Sequence, residues 1–170
     1  MIGVRRLAWL GLGVLLTVFP AAGQAQQEGI AVGTPAPAVS LPDLDGRTVE
    51  LGQYFGKRPV LLEYWATWCT VCAELMPRVR AAHKKYGGAV EFFGVNVGVN
   101  QTVDRVRRYA AKEKPPFRIL YDAKGVSTRA YQAPTTSFMV IVDRQGKVAY
   151  TGIGVGQQFE AALARVTAGP

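Results

Sequence analysis

Two apolar runs in the first half of the chain set the pattern for the rest. Val60 to Ala66 is apolar on both alternating faces except at Glu63, and Ala89 to Val97 repeats that pattern. Runs of this kind predict central strands covered on both sides. Between them, Cys69 to Tyr86 has helical period. Val71, Cys72, Leu75, Met76, Val79 and Ala82 share one face, and Glu74, Arg78, Arg80, Lys84 and Lys85 lie elsewhere. Pro77 inside this pattern predicts a kink, and Gly87-Gly88 predicts its end. Before the first run, Val39 to Leu41 and Thr48 to Leu51 flank Asp43-Leu44-Asp45-Gly46, where Asp-Gly between apolar segments predicts a β-hairpin.

Downstream, Gln101 to Glu113 reads as a helix with a basic outer face, stopped by Pro115-Pro116. Phe117 to Leu120 reads as a short strand, and Asp122 to Tyr131 contains a weak helix. Phe138 to Val142 and Lys147 to Thr151 form an antiparallel pair around Asp143–Gly146. Gly152 to Gly156 is a glycine-rich loop. Its glycines alternate with Ile153 and Val155, and no Lys-Ser/Thr follows, so it is not a phosphate loop. Gln157 to Thr167 is a last helix with Phe159, Ala162, Leu163 and Val166 on one face. The strand–helix–strand crossover implies parallel neighbours, and the final hairpin adds antiparallel edges. The fold class is therefore α/β, a mixed sheet flanked by helices.

The N-terminus changes the domain count. Arg5-Arg6, the apolar Leu7 to Phe19, Pro20 and the small residues around Ala25 read as a signal peptide over residues 1–25, with an uncleaved anchor as the rival. Residues 26–34 read as a flexible lead-in, and 35–170 as one domain, within the size that a single core supports. Export places the protein outside the cytoplasm, in the periplasm or its equivalent, where disulfides persist. The net charge of +8 raises the question of nucleic acid, but export and the dispersal of Lys and Arg over several helices argue against it. Weak attraction to anionic membrane surfaces is what such a balance leaves open.

The chemistry sits where the first central strand meets the first helix. The two cysteines, Cys69 and Cys72, stand there with two residues between them. They would close only a tiny loop, which makes a poor structural staple. Two thiols and one histidine, His83, are too few for a structural zinc site. Ala73 after Cys72 excludes the Cys-x-x-Cys-His haem pattern. A cysteine at a helix N-terminus is stabilised as thiolate, the nucleophilic form. Cys69 is placed to attack a disulfide, and Cys72, one turn in, to resolve the mixed disulfide. Something must take the proton of Cys72. Glu63, the acidic residue of the leading strand, is expected to be buried with a raised pKa, which suits a proton acceptor working near neutrality.

Val60-Leu61-Leu62-Glu63-Tyr64-Trp65-Ala66-Thr67-Trp68-Cys69-Thr70-Val71-Cys72, with Pro77 five residues later, resembles the active-site strand, turn and kinked helix of the thioredoxin superfamily. Trp-Ala-Thr-Trp-Cys in an exported chain, the leading hairpin and the central insert from about Gln101 to Leu120 resemble its TlpA/ResA-like branch of thiol–disulfide oxidoreductases. The resemblance spans roughly Val32 to Val166 and places Glu63 where thioredoxins carry a buried acid. It implies a thioredoxin-like fold, no cofactor, client proteins with thiols or disulfides, and a membrane-bound redox donor or acceptor. Reduction is the implied direction, as in cytochrome c or copper-site maturation.

The expected substrate surface is Trp68, Thr70 and Val71 around the cysteines, with Pro134, Thr136 and Ser137 in the facing loop. Two positions depart from the family. Val71 stands where proline is common. In the facing loop, either Pro134 is the cis-proline or Ser137 replaces it with a trans bond. Counting back from the Asp143–Gly146 turn favours Ser137, because a non-proline cis bond costs about 2.5–4 kcal/mol. Two other activities use the same thiols. A peroxidase of peroxiredoxin type needs a Thr-x-x-Cys with a partner arginine, whereas Thr67 lies two residues before Cys69 and no arginine can be assigned. A Cu(I) carrier suits soft thiolates, but no histidine can be placed beside them.

Overall fold

The computed structural model describes residues 28–168. The expected signal peptide lies outside the described residues. A hairpin comes first, β1 (Ser40–Pro42) and β2 (Thr48–Glu50), followed by a short 3-10 turn at Leu51–Gln53. The body then runs β3 (Val60–Trp65), α1 (Thr70–Tyr86), β4 (Glu91–Asn96), α2 (Val103–Glu113), β5 (Arg118–Tyr121), α3 (Val126–Ala130), β6 (Phe138–Val142), β7 (Val148–Gly152) and α4 (Phe159–Thr167). The five-stranded sheet has the order β5-β4-β3-β6-β7. Its first three strands are parallel, β6 runs antiparallel to them, and β7, antiparallel to β6, returns to the direction of the first three.

The two unbroken apolar runs become the two inner parallel strands. Every residue of β3 is buried, and its side chains divide by the alternation of a strand. Leu61 and Trp65 join a core cluster with Leu75 and Val79 of α1, Val106 of α2, and Phe159 and Leu163 of α4. Val60, Leu62 and Tyr64 join the opposite cluster with the hairpin residues Leu41 and Val49, and with Tyr131 beside α3. The sheet is thus covered by three helices on one face and by α3 and the hairpin on the other. Residue identity follows the register. Glu63 pairs with Gly94 of β4, and a Cβ at Gly94 would come within 2.2 Å of the Phe117 ring. Only glycine lets Phe117 lie against the sheet beside Glu63.

Two details differ from the pattern-based reading. Residues 28–34 lie on the body rather than apart from it. Ile30 donates its N–H to Tyr131 O at 3.1 Å, Gly33 donates to Val148 O at 2.7 Å, and Pro35 bridges to Lys147. The polar, small composition of the lead-in conceals these backbone bonds, which need no particular side chain. The last helix starts at Phe159 rather than Gln157, because Gln157 turns inward and is buried. α1 runs from Thr70 to Tyr86 with Pro77 inside it, as the pattern predicts.

The strand registers bring several loops to one end of the sheet. Trp65 pairs with Asn96, Tyr64 with Phe138, and Met139 with Gly152. The segments after β3, β4 and β7, and the segment before β6, therefore meet beyond the carboxyl ends of the parallel strands. That is where open α/β sheets place their sites.

Candidate active site at the carboxyl end of the sheet

Cys69 and Cys72 form a disulfide, with Cα atoms 5.3 Å apart. Cys69 is the N-cap of α1. Its backbone is extended, its N–H donates to Ala66 O at 3.1 Å, and its Sγ accepts the N–H of Cys72 at 3.1 Å. The sulfur thus occupies the place that a Ser or Asp oxygen takes in an ordinary cap. The open N–H groups and the dipole of a 17-residue helix favour negative charge there once the bond is reduced. Both cysteines are largely covered, Cys69 with 7 % and Cys72 with 3 % of its surface exposed.

The loop leading to Cys69 is held from the side. Thr67 N–H donates to Gln101 Oε1 at 3.1 Å, and Trp68 Nε1 donates to Val99 O at 2.9 Å. Asn96, fully buried at the end of β4, accepts the Gly98 N–H at 3.1 Å and so shapes the same loop. Neither Asn96 nor Gln101 was anticipated. Asn96 carries the signal that singled out Glu63, a polar residue within a two-sided apolar strand. Gln101 carries none, because its role depends on a loop that doubles back.

Glu63 is 0 % exposed, and neither carboxyl oxygen has a hydrogen-bond partner among the described residues. Burial alone pushes its pKa up to about 8, from 4.5. Trp65, two residues on and on the same face, likewise has an unpaired buried Nε1. Glu63 therefore sits protonated at neutral pH, with the capacity to ionise near that pH, on the face of β3 whose Leu61 and Trp65 share a core cluster with Cys72 and Leu75.

The residues expected to form the substrate surface divide between exposed and buried positions. Trp68 is 49 % exposed and Val71, between the cysteines, 38 %. Thr70 is exposed as the first residue of α1. Pro134, Thr135 and Thr136 line a groove of about 210 Å³ together with Trp68, Val97 and Val99. Ser137 does not belong to that open surface. It is buried, no peptide bond among the described residues is cis, and its φ is +65°. The facing loop therefore holds a trans serine at the position that the spacing picked out, and Pro134 lies three residues away on the groove wall.

His83 stacks edge-on against Phe92 at 5.2 Å, and Met76 packs on the core, so neither joins the cysteines. Among the described residues no cluster of three or more His, Cys, Asp or Glu is arranged to hold a metal. No helix among them is long and apolar enough to cross a membrane.

The sequence profile of the Redoxin family matches residues 31–166. The thiol-disulfide oxidoreductase ResA of Geobacillus thermodenitrificans is 32% identical over 143 residues, covering 84% of this chain and 78% of that protein. ResA of Bacillus subtilis is 28% identical over 152 residues, covering 85% and 83%. Among solved structures, a Chlorobium tepidum protein assigned as thiol:disulfide interchange protein DsbE superposes with a TM-score of 0.69 at 26% identity, covering 80% of this chain and 94% of that one.

Proposed function

The chain belongs to the Redoxin family, within the thioredoxin superfamily, as a thiol–disulfide oxidoreductase of the ResA/DsbE type, and from that premise we propose that it reduces disulfides in exported client proteins. The observation that carries this reading is the surface around the disulfide. Trp68, Val99 and Val155 on the loops, and Val71 in the first turn of α1, are exposed apolar side chains at this end of the sheet. Such a collar suits the apolar flanks of a polypeptide better than a small polar thiol.

In the reaction, the Cys69 thiolate attacks one sulfur of the client disulfide. A Cys69–client mixed disulfide forms and the other client sulfur leaves as thiolate. Cys72 then gives its proton to Glu63 in its ionised form, the minor form at neutral pH and a growing one toward about pH 8, and attacks Cys69 Sγ. The mixed bond breaks, the second client thiolate is released, and the Cys69–Cys72 disulfide forms. The client gains two electrons and the protein loses two. Return to the dithiol needs a thiol donor, for which a membrane-bound redox partner is the fitting class. Attack by Cys72 is intramolecular, so its effective concentration is high. A carboxyl that titrates near neutrality serves as base in this direction and as acid in the reverse.

The N-terminal pattern of Arg5-Arg6 and Leu7 to Phe19 supports an extracytoplasmic location. Clients of the cytochrome c or copper-site kind, with closely spaced cysteines, fit the reading. The exposed Arg105, Arg108 and Lys112 of α2 support weak attraction to anionic membranes. Insulin reduction by the wild type, Cys69→Ser and Cys72→Ser tests the activity. The wild type is expected to turn over, Cys69→Ser to be inert, and Cys72→Ser to accumulate a mixed disulfide. Equal rates for wild type and Cys69→Ser would overturn the proposal.

A further inference from the structure

The wall of the groove opposite Trp68 is suspended between two anchors. Among the described residues, Pro134, Thr135 and Thr136 make no hydrogen bond within the protein. At one end, Ala133 N–H donates to Thr128 O at 2.9 Å. At the other stands Ser137, held by three bonds. Its N–H donates to Tyr64 O at 2.8 Å, its Oγ accepts the Gly154 N–H at 3.2 Å, and its carbonyl accepts Gln157 Nε2 at 2.9 Å. A left-handed φ of +65° is uncommon for a residue with a Cβ. It persists only where the surroundings over-determine it, and these bonds do so.

Gln157 is the hub of that arrangement. It is 6 % exposed, in the loop between β7 and α4. Its backbone carbonyl accepts Arg78 Nη2 at 2.7 Å. Arg78 lies on α1, the helix that begins at the cysteines, and also donates to Val155 O and to both carboxylate oxygens of Glu160, at 2.7 and 2.6 Å. One residue thus joins the helix carrying Cys72, through Arg78, to the wall that faces Trp68, through Ser137.

We propose that Gln157 is a positioning residue for protein clients: its amide, bonded to the Ser137 carbonyl, holds the Pro134–Thr136 wall at the spacing from Trp68 that an extended client segment requires. The hydrogen-bonded clamp takes the place of the ring restraint that a proline would supply at position 137. It touches neither sulfur, so it acts on docking and not on the disulfide itself. The inference rests on the client reading given under Proposed function.

The test uses the full chain with Gln157→Glu and Gln157→Met, which keep similar bulk but offer no amide donor to Ser137 O. Arg78→Gln is a third variant that loosens the same loop from the half-exposed side of the contact. For insulin, KM is expected to rise about fivefold or more, with kcat within about twofold. The rate with a small aromatic disulfide and the Cys69–Cys72 potential against glutathione are expected to stay at wild-type values. A urea transition for each variant verifies folding, and any variant that fails to fold is replaced in the comparison by one that folds. Unchanged insulin KM in the folded variants, or an equal fall for both substrates, would overturn the clamp alone. A wild type active on the small disulfide but inert on insulin would overturn the client reading, and the clamp with it.

Discussion

At the scale of single residues, Glu63 is the most consequential side chain that does not touch the client. Its ordinary pKa of 4.5 applies in the unfolded chain, and burial raises it to about 8 in the fold. Between those values the folded protein keeps a proton that the unfolded chain has released. The stability Glu63 contributes is therefore full below about pH 4.5 and is lost as pH rises toward about 8. The slope from this one group is at most about 1.4 kcal/mol per pH unit. Glu63→Gln should remove that slope, so its denaturation midpoint should gain on the wild type progressively from pH 5 to pH 8. The same substitution should slow resolution of the mixed disulfide by roughly a hundredfold, the scale of a lost general base. Rapid-quench trapping of a Cys69–client adduct measures it, and an unchanged resolution rate would remove Glu63 from the proton path.

At the scale of elements, the junction of β3 with α1 was legible because each half has an unmistakable period. A two-sided apolar strand runs into an amphipathic helix, and Cys69 falls at the cap. The hairpin, the insert and the terminal strand pair were legible for the same reason, with bounds shifted by one or two residues where a cap or an inward side chain decides the end. Gly94 was not legible as a packing residue. Its meaning comes from Phe117, which belongs to a loop more than twenty residues on and meets the sheet only in the fold. Gly94→Ala should therefore destabilise by about 1–3 kcal/mol through overpacking. A lower urea midpoint with unchanged m-value is the expected result, and a wild-type midpoint would show that the Phe117 ring moves aside freely.

At the scale of the whole molecule, the hairpin is tied to the far edge of the sheet by one carboxylate. Asp43 accepts from Arg118 at 2.6 Å and from Arg47 at 3.2 Å, and also from the backbone N–H groups of Asp45 and Arg47. The Arg118 hydrogen bond is the largest influence holding its pKa down at about 2, against an ordinary 3.8. A depressed carboxylate contributes stability that is present above its unfolded value and lost as pH falls through the folded one. Asp43→Asn should abolish that acid-side dependence and loosen the hairpin. Hydrogen exchange should quicken over residues 40–50 while β3 and β4 keep their protection. Equal protection in both regions would mean that the Asp43↔Leu120 backbone bridge suffices alone.

The sequence by itself determined the α/β order, the redox pair at a helix N-cap and a carboxyl inside an apolar strand. These are local properties: period, cap position and the polarity of a residue against its neighbours. Only the tertiary structure decided what surrounds the pair. Ser137 takes a trans, left-handed conformation because Tyr64, Gly154 and Gln157 hold it there. The approach to Cys69 is shaped by Asn96 and Gln101 because the loop after β4 folds back to Thr67 and Trp68. Hydrogen bonds between loops far apart in sequence leave no period in the chain. The chemistry of the site could therefore be read in advance, while the shape of the surface that meets a client could not.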